Sequence, residues 1–306
     1  MMGIEILSTG YYVPPKKLTN KDLEKLVDTS DEWIQERTGI HTRHVVDTQN
    51  NIDIAYLASK QAIQGIDKKK IGIILVATMS NENKTPSVAC MLQEKLGLND
   101  QEVIAFDINV ACSGFVYGLE IARGLLNSLE DKYALVVGSE VLSKLIDYTD
   151  RSTCILFGDG SGAVVVQASN NKMYSYLDAK GNKEVLCTSK DGYLTMNGTE
   201  VFKFATRIIP KCIEKLLEKS NLKIEDIDHF VCHQANYRII HYVYKKMKID
   251  PQKFYINVQE FGNTSGASIP IALAQMNEQK LIKKGDKVMC IGFGAGLTWG
   301  ATLHEW

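Results

Sequence analysis

The chain has 306 residues, 45% of them hydrophobic and 23% charged, and a net charge of −1 at pH 7. That length suits one large or two tightly joined domains with a sizeable core, and the near-neutral charge excludes bulk attraction to nucleic acid or to a membrane surface. No apolar run approaches the roughly 20 residues of a membrane span, and the N-terminus reads as a strand, not a signal peptide. The seven cysteines, at 90, 112, 154, 187, 212, 232 and 290, form no CxxC pair, and the six histidines lack metal-ligand spacing. The pattern predicts reduced thiols in a cytoplasmic protein, without a disulfide framework or a metal site.

In chain order, residues 4–8 read as a first strand and 11–15 as a turn. Asn20 caps a predicted helix over 21–27, and Thr29-Ser30-Asp31-Glu32 reads as a capping box for a second helix. On that second helix Trp33 and Arg37 lie four apart and share a face. They form either an indole and guanidinium able to sandwich a flat charged ligand, or a surface pair with Trp33 packed down. A helix over 52–66, a continuous apolar strand over 71–78, a polar loop over 80–84 and a helix over 87–96 follow.

Residues 103–106 read as a buried strand, and Phe115, Leu119, Ala122 and Leu126 recur at helical spacing. Cys112 therefore lies where a strand ends and a helix begins, with Gly114 permitting close backbone packing. A thiol at a helix N-terminus faces free N–H groups and a positive dipole end, which favours the nucleophilic thiolate. The other reading is a small buried hydrophobe.

Residues 133–138 predict the next buried strand and 150–153 a polar loop. Phe157-Gly158-Asp159-Gly160-Ser161-Gly162 is a glycine-rich turn before a strand over 163–167. It lacks GxGxxG spacing and a following helix, so tight backbone packing is expected there, not a dinucleotide site. Residues 169–193 read as a polar surface excursion. A helix over 200–219 contains Pro210, which predicts a kink or break. Lys203, Arg207 and Lys211 form a basic stripe on it, the ordinary pattern of a solvated face. A strand over 227–232 ends in His233-Gln234-Ala235-Asn236, and a helix covers 239–247. A strand over 254–258 leads to Gly262-Asn263-Thr264-Ser265-Gly266-Ala267-Ser268 and a helix to 279. Strands over 287–292 and 301–304 close the chain, separated by Gly294-Ala295-Gly296-Leu297-Thr298-Trp299-Gly300.

This order repeats. Strand 71–78, strand 103–108, the Cys112 turn and helix, and strand 133–138 match strand 227–232, strand 254–258, the Asn263 turn and helix, and strand 287–292. Duplicated α/β halves put equivalent strand ends side by side, where open α/β sheets bind ligands. Cys112, His233 and Asn263 all lie at such ends, so the topology predicts one shared pocket.

Taken together, Asp28-Thr29-Ser30-Asp31-Glu32-Trp33 with Arg37-Thr38-Gly39-Ile40, Ala111-Cys112-Ser113-Gly114-Phe115, Phe157-Gly158-Asp159-Gly160, His233-Gln234-Ala235-Asn236, Gly262-Asn263-Thr264-Ser265 and Thr298-Trp299-Gly300 resemble the β-ketoacyl-acyl-carrier-protein synthase III family. These are the initiating condensing enzymes of bacterial type II fatty-acid synthesis. The resemblance spans nearly the whole chain. It implies the thiolase fold: two duplicated α/β halves, here residues 1–168 with the cysteine and 169–306 with the histidine and asparagine, in an α-β-α-β-α layered core.

The resemblance also implies the chemistry. Cys112 takes the acyl group from an acyl-CoA as a new thioester, with backbone N–H groups of Cys112 and of the 296–298 stretch as oxyanion hole. His233 and Asn263 stabilise the charge that develops as malonyl-acyl-carrier protein loses CO₂, and the product is a 3-oxoacyl-carrier protein. No cofactor is implied beyond the CoA thioester substrate. Thr29, Trp33, Arg37, Arg151 and Asn236 match CoA contacts, and Lys203 and Arg238 match a patch that docks the acidic carrier protein. Thr85, Phe157 and Leu297 fall at acyl-pocket positions. Thr85 stands where some relatives carry a phenylalanine that closes the partner subunit's pocket, which implies a homodimer and room for a longer or branched primer. Two alternatives remain: a paralogue of secondary metabolism with an unusual primer, and a non-decarboxylating condensation like that of hydroxymethylglutaryl-CoA synthase. The latter needs a carboxylate base near Cys112, for which Glu82 is the candidate.

Overall fold

The computed structural model describes residues 3–306. The chain opens with β1 (Gly3–Tyr12), then β2 (Lys17–Thr19), α1 (Asn20–Leu23), α2 (Asp31–Thr38) and β3 (Thr42–His44). Next come α3 (Asn51–Ala62), β4 (Ile71–Ala77), α4 (Val88–Lys95) and β5 (Ile104–Ile108). A 3-10 turn, Ala111–Ser113, enters α5 (Gly114–Leu126), followed by β6 (Tyr133–Glu140), α6 (Arg151–Cys154) and β7 (Gly160–Ser169). The rest of the chain forms β8 (Tyr174–Ala179), β9 (Leu186–Thr188), β10 (Leu194–Met196), α7 (Gly198–Ser220), β11 (His229–Cys232), α8 (Tyr237–Met247) and α9 (Val258–Phe261). A second 3-10 turn, Ser265–Ala267, enters α10 (Ser268–Glu278), and β12 (Lys287–Gly294) and β13 (Thr298–Glu305) end the fold.

Two sheets organise these elements. One is five-stranded in the order β1-β7-β6-β4-β5, the other four-stranded in the order β11-β12-β13-β8. Alternate residues of β4 show how the layers form. Ile73 and Leu75 point to one side, into a core with Phe115 and Leu119 of α5 and Ile269 and Leu273 of α10. Ile74 and Val76 point to the other, into a core with Ala55, Ala58 and Leu92 of α3 and α4. A strand apolar on both faces is one covered on both faces. Val231, Val288 and Cys290 of the second sheet join the α5/α10 core. Phe230, Met289 and Ile291 pack instead with Ile209, Ile213, Ile239 and Val243 of α7 and α8. The result is five layers, α-β-α-β-α, with α5 and α10 buried between the sheets. Among the described residues no helix is long and apolar enough to cross a membrane.

Several sequence expectations are corrected. The 169–193 stretch is not only a surface excursion, because it supplies β8, which pairs antiparallel with β13. The second-half strand expected over 254–258 is reduced to a single parallel bridge, Phe230 to Phe254. Side chains take over from a ladder there: Gln234 Oε1 accepts from Asn257 N (3.1 Å), and Asn257 Nδ2 donates to Gln275 Oε1 (2.7 Å). β5 is an edge strand with Ile104 42% exposed, not a buried one. Helix α7 runs 23 residues through Pro210 without a break, because burial of its apolar stripe outweighs the missing hydrogen bond. The first-turn caps also move. Thr19, not Asn20, caps α1, and Ser30 alone caps α2 by accepting from Trp33 N. The loop expected at 150–153 carries α6, capped by Asp150.

Candidate active site

The two turns at the strand ends are built alike. Asn109-Val110-Ala111-Cys112 in one answers to Asn263-Thr264-Ser265-Gly266 in the other. Asn109 Oδ1 accepts from Ala111 N (3.4 Å), as Asn263 Oδ1 accepts from Ser265 N (2.9 Å). Ala111 and Ser265 both take the left-handed conformation, with φ of 45° and 48°, uncommon for residues with a Cβ. Each then enters a 3-10 turn and a central helix. The equivalent of Cys112 is thus Gly266, and the equivalent of Asn263 is Asn109. The turns pack tightly on the sheets: a Cβ on Gly294 of β12 would lie 2.9 Å from both Cβ and N of Cys112.

Cys112, His233 and Asn263 all line one cavity of about 620 Å³. Cys112 is buried, and burial pushes its thiol up to about 12. This corrects the expectation of a thiolate favoured by the helix start: loss of water costs the charged form more than the local N–H groups return. His233 is buried with its pKa pushed down to about 3 by desolvation, so its imidazole is neutral. Its Nδ1 lies 2.7 Å from Ser268 Oγ, which itself accepts from Gln234 N (3.4 Å). The Ser268 hydroxyl is therefore free to donate to Nδ1, which leaves the proton on Nε2. Phe293 packs edge-on against the ring at 5.1 Å. Asn263 is pinned through its backbone, donating to Leu156 O (2.9 Å) and accepting from Gly158 N (3.0 Å). Its Oδ1 is occupied by Ser265 N, so its Nδ2 donors remain for the cavity.

At the mouth, Trp33 and Arg37 line the cavity. Two guanidiniums lie over the Trp33 ring, that of Arg151 at 4.9 Å and that of Arg37 at 5.9 Å. Arg151 also donates to Asp28 O (2.9 Å). Thr29 Oγ1 is buried without a hydrogen-bond partner among the described residues. Asn236 lines the mouth but its side chain is already engaged, capping α8 through Arg238 N (2.8 Å) and donating to Arg37 O (3.0 Å). Lys203 and Arg238 border the same opening. Lys203 is ion-paired with Glu200 at 2.8 Å, and Arg238 lies 5.8 Å over the Phe202 ring.

The inner wall is apolar. Phe157 and Leu297 line it, with Leu186 and Met196 from the β9–β10 hairpin. Thr85 is exposed and is not among the residues lining the cavity of its own chain. One of the expected oxyanion donors over 296–298 is already engaged. Leu297 N is spent on Lys180 O (2.7 Å), and the backbone beside Cys112 N is that of Gly294.

Sequence reasoning missed four residues. Ser268 fixes the His233 tautomer, Phe293 walls the ring, and Ser265 holds Asn263. The fourth is Glu140, at the end of β6, fully buried and linked by Ser265 Oγ at 3.1 Å. Its only sequence signal was a charge at the end of an apolar run. Glu82, the carboxylate considered earlier, instead accepts from Asn51 N (3.0 Å) and pairs with Lys144 at 3.3 Å, outside the cavity. Glu140 does not line the cavity either.

Comparison with known proteins bears on the same residues. Residues 106–183 match the model of 3-oxoacyl-[acyl-carrier-protein] synthase III, and residues 217–306 match the model of its C-terminal domain. The chain is 44% identical to the β-ketoacyl-[acyl-carrier-protein] synthase III of Clostridium acetobutylicum, over 100% of this chain and 99% of that protein. It is 46% identical to that of Acholeplasma laidlawii, over 99% and 98%. It superposes on the crystal structure of 3-oxoacyl-[acyl-carrier-protein] synthase III from Aquifex aeolicus with a TM-score of 0.96 and 42% identity, covering 99% of this chain and 100% of that one. The layered core is therefore the thiolase fold, and the chain belongs to the β-ketoacyl-acyl-carrier-protein synthase III family of condensing acyltransferases.

Proposed function

We propose that this protein joins an acyl-CoA primer to malonyl-acyl-carrier protein with loss of CO₂, initiating fatty-acid synthesis through an acyl-Cys112 intermediate. The observation that carries the reading is the convergence of Cys112, His233 and Asn263 on one cavity whose mouth is cationic and whose inner wall is apolar. In the first half-reaction the Cys112 sulfur attacks the thioester carbonyl, and the new oxyanion sits against Cys112 N and the backbone at Gly294. CoA leaves through the mouth, where Trp33, Arg37 and Arg151 hold the adenine and Thr29 and Asn236 border the pantetheine arm.

In the second half-reaction the malonyl thioester oxygen gains negative charge as CO₂ departs. His233 Nε2–H and the Asn263 amide are two neutral, preorganised donors for it. A neutral histidine suits this role, since it donates without moving a proton. The enolate carbon attacks the acyl-cysteine, and 3-oxoacyl-carrier protein leaves. These side chains supply every role in the reaction, so no metal or organic cofactor is invoked. Lys203 and Arg238 beside the mouth fit an acidic carrier protein, and Phe157 and Leu297 bound the primer.

The molecule is further proposed to be a cytoplasmic homodimer, in which Thr85 reaches the partner's acyl pocket. The edge strand β5, with Ile104 exposed and its other residues half-buried, and the placement of Thr85 outside its own cavity support the dimer. The two halves are proposed to divide between residues 168 and 169, supported by the matched turns at Ala111 and Ser265.

Intact-protein mass after incubation with acyl-CoAs from acetyl through branched to eight carbons tests the reading, with Cys112→Ala as control. An adduct on the wild type alone is expected. An adduct on neither protein, or on both, overturns the acyl-Cys112 intermediate.

A further inference from the structure

The glycine-rich stretch ahead of β7, Phe157-Gly158-Asp159-Gly160, does more than pack tightly. It runs alongside the Asn263 turn and holds it from one side. Leu156 O accepts from Asn263 N (2.9 Å), Gly158 N donates to Asn263 O (3.0 Å), and Phe157 and Asn263 form a parallel bridge between them. These contacts fix the Asn263 backbone, and Ser265 N fixes its Oδ1 at 2.9 Å. The direction of the Asn263 amide therefore depends on where residues 155–159 stand. That stretch is pinned at each end by a buried ionisable side chain.

At its start is Arg43 of β3. Arg43 is fully buried, and among the described residues no carboxylate is ion-paired with it. Its Nη2 donates to Ile155 O (2.5 Å), and its Nη1 donates to Asn20 Oδ1 (2.7 Å) and Leu18 O (3.3 Å). Burial lowers it only to about 10, so it stays a cation at neutral pH. Its stem sits between the two segments: a Cβ on Gly158 would lie 3.1 Å from Arg43 Cβ, and one on Gly262 3.0 Å. At the far end is Asp159, also fully buried. Its carboxylate accepts from Val46 N (2.8 Å), Ser143 N (2.8 Å) and Ser143 Oγ (2.6 Å), and its own N donates to His44 O (2.8 Å). The chain around β3 grips the Asn263 side as well, His41 N donating to Gln259 O (2.8 Å) and Thr42 Oγ1 to Glu260 O (2.9 Å). An ion buried among neutral partners is costly to keep and costlier still once a partner leaves. Charge-assisted hydrogen bonds are also roughly twice as strong as neutral ones, so each end resists displacement. The planar guanidinium adds direction, which an ammonium lacks.

Resting on Asn263 as a donor to the malonyl thioester oxygen, we propose that Arg43 and Asp159 are positioning residues for decarboxylation, holding residues 155–159 so that the Asn263 amide meets that oxygen. Neither side chain lines the cavity or touches substrate. A donor displaced by about 1 Å loses on the order of 100-fold in rate. Cys112 is seated separately, on the turn before α5 against Gly294, so loss of this clamp separates the two half-reactions.

The test compares wild type, Arg43→Lys and Ser143→Ala. Single-turnover acylation by acetyl-CoA is followed by intact mass. Release of CO₂ from malonyl-carrier protein is followed with each substitution in a Cys112→Ala background. Arg43→Lys keeps the cation but loses the fork that spans Ile155 O and Asn20 Oδ1. The saturating rate of CO₂ release is expected to fall at least tenfold more than the saturating acylation rate, with the half-saturating malonyl-carrier-protein concentration within threefold of the background. Ser143→Ala removes one hydrogen bond of Asp159 at a half-buried site and leaves both ions in place. It decides the matter if Arg43→Lys does not fold, with the same split expected at threefold or more. A merely structural role lowers both half-reactions together, so a parallel loss or a smaller split overturns the proposal. A Cys112→Ala protein that releases no CO₂ with Arg43 and Ser143 intact instead overturns the role given to Asn263, on which the proposal rests.

Discussion

Replacing Gly294 with alanine tests how the nucleophile is seated. The added Cβ would lie 2.9 Å from both Cβ and N of Cys112, where non-bonded carbons prefer about 3.5–4.0 Å. Roughly 0.6–1 Å must be taken up, and both sides are backbone-borne: the last residue of β12 and the turn before α5. Overpacking of this kind costs about 1–3 kcal/mol of stability. The larger effect is on chemistry, because a reacting atom displaced by about 1 Å loses on the order of 100-fold in rate. Quenched-flow acylation read by intact mass, beside a chemical denaturation curve, measures both. Gly124→Ala is the control: it lies in α5 with nothing within 4 Å of its added Cβ, so it should acylate normally and gain about 0.5–1 kcal/mol. If Gly294→Ala acylates within twofold of wild type, the close approach of Gly294 is not what positions Cys112.

Trp33→Ala removes the ring under Arg151 and Arg37 and should raise KM for acyl-CoA about tenfold or more at similar kcat, given about 1–3 kcal/mol for base–aromatic stacking; steady-state kinetics decide it. Ser268→Ala leaves His233 Nδ1 without its partner, so malonyl-carrier-protein decarboxylation should fall about tenfold, the worth of one such hydrogen bond, and CO₂ release at saturating substrate is the readout. His304 is buried with neither ring nitrogen hydrogen-bonded among the described residues, and burial lowers it to about 4. The unfolded chain therefore binds its proton first, so the stability it permits at pH 8 is lost as pH falls from about 6.5 toward 4. His304→Leu should reduce the acid loss by about 3 kcal/mol, seen by comparing urea midpoints at pH 8 and pH 4.5; an unchanged difference refutes the assignment. Light scattering should return twice the monomer mass, and a monomer would remove the role given to Thr85.

Much of the site was legible in the linear chain because its chemistry is concentrated in turns. Cys112, His233 and Asn263 each follow an apolar run and precede a helical period, and that local pattern marks a strand end without knowledge of the fold. The repeat was legible for the same reason, although its register was not. Aligning Cys112 with Asn263 is off by three residues, because the shared feature is a left-handed residue at 111 and 265, a backbone property that alanine and serine do not announce. The strand expected over 254–258 and the excursion expected over 169–193 failed at sheet edges. There, pairing depends on what a distant strand offers, and β8 exists because β13 is beside it.

Ionisation was decided only in three dimensions. From the sequence, Cys112 at a helix start is a candidate thiolate; in the fold it is a buried thiol, since desolvation depends on what the two sheets close over it and not on its neighbours in the chain. Glu140 shows the same division more sharply. It is 125 residues from Ser265, whose hydroxyl it accepts from, and its only local signal is a charge at the end of an apolar run. The sequence by itself determined the family, the duplicated plan and the three residues that face the cavity, because these rest on residue type and short-range spacing. The tertiary structure alone decided which groups are dry, which partner His233 Nδ1 meets and which carboxylate lies buried beside the Asn263 turn, because burial and hydrogen bonding between distant segments arise only when the layers pack.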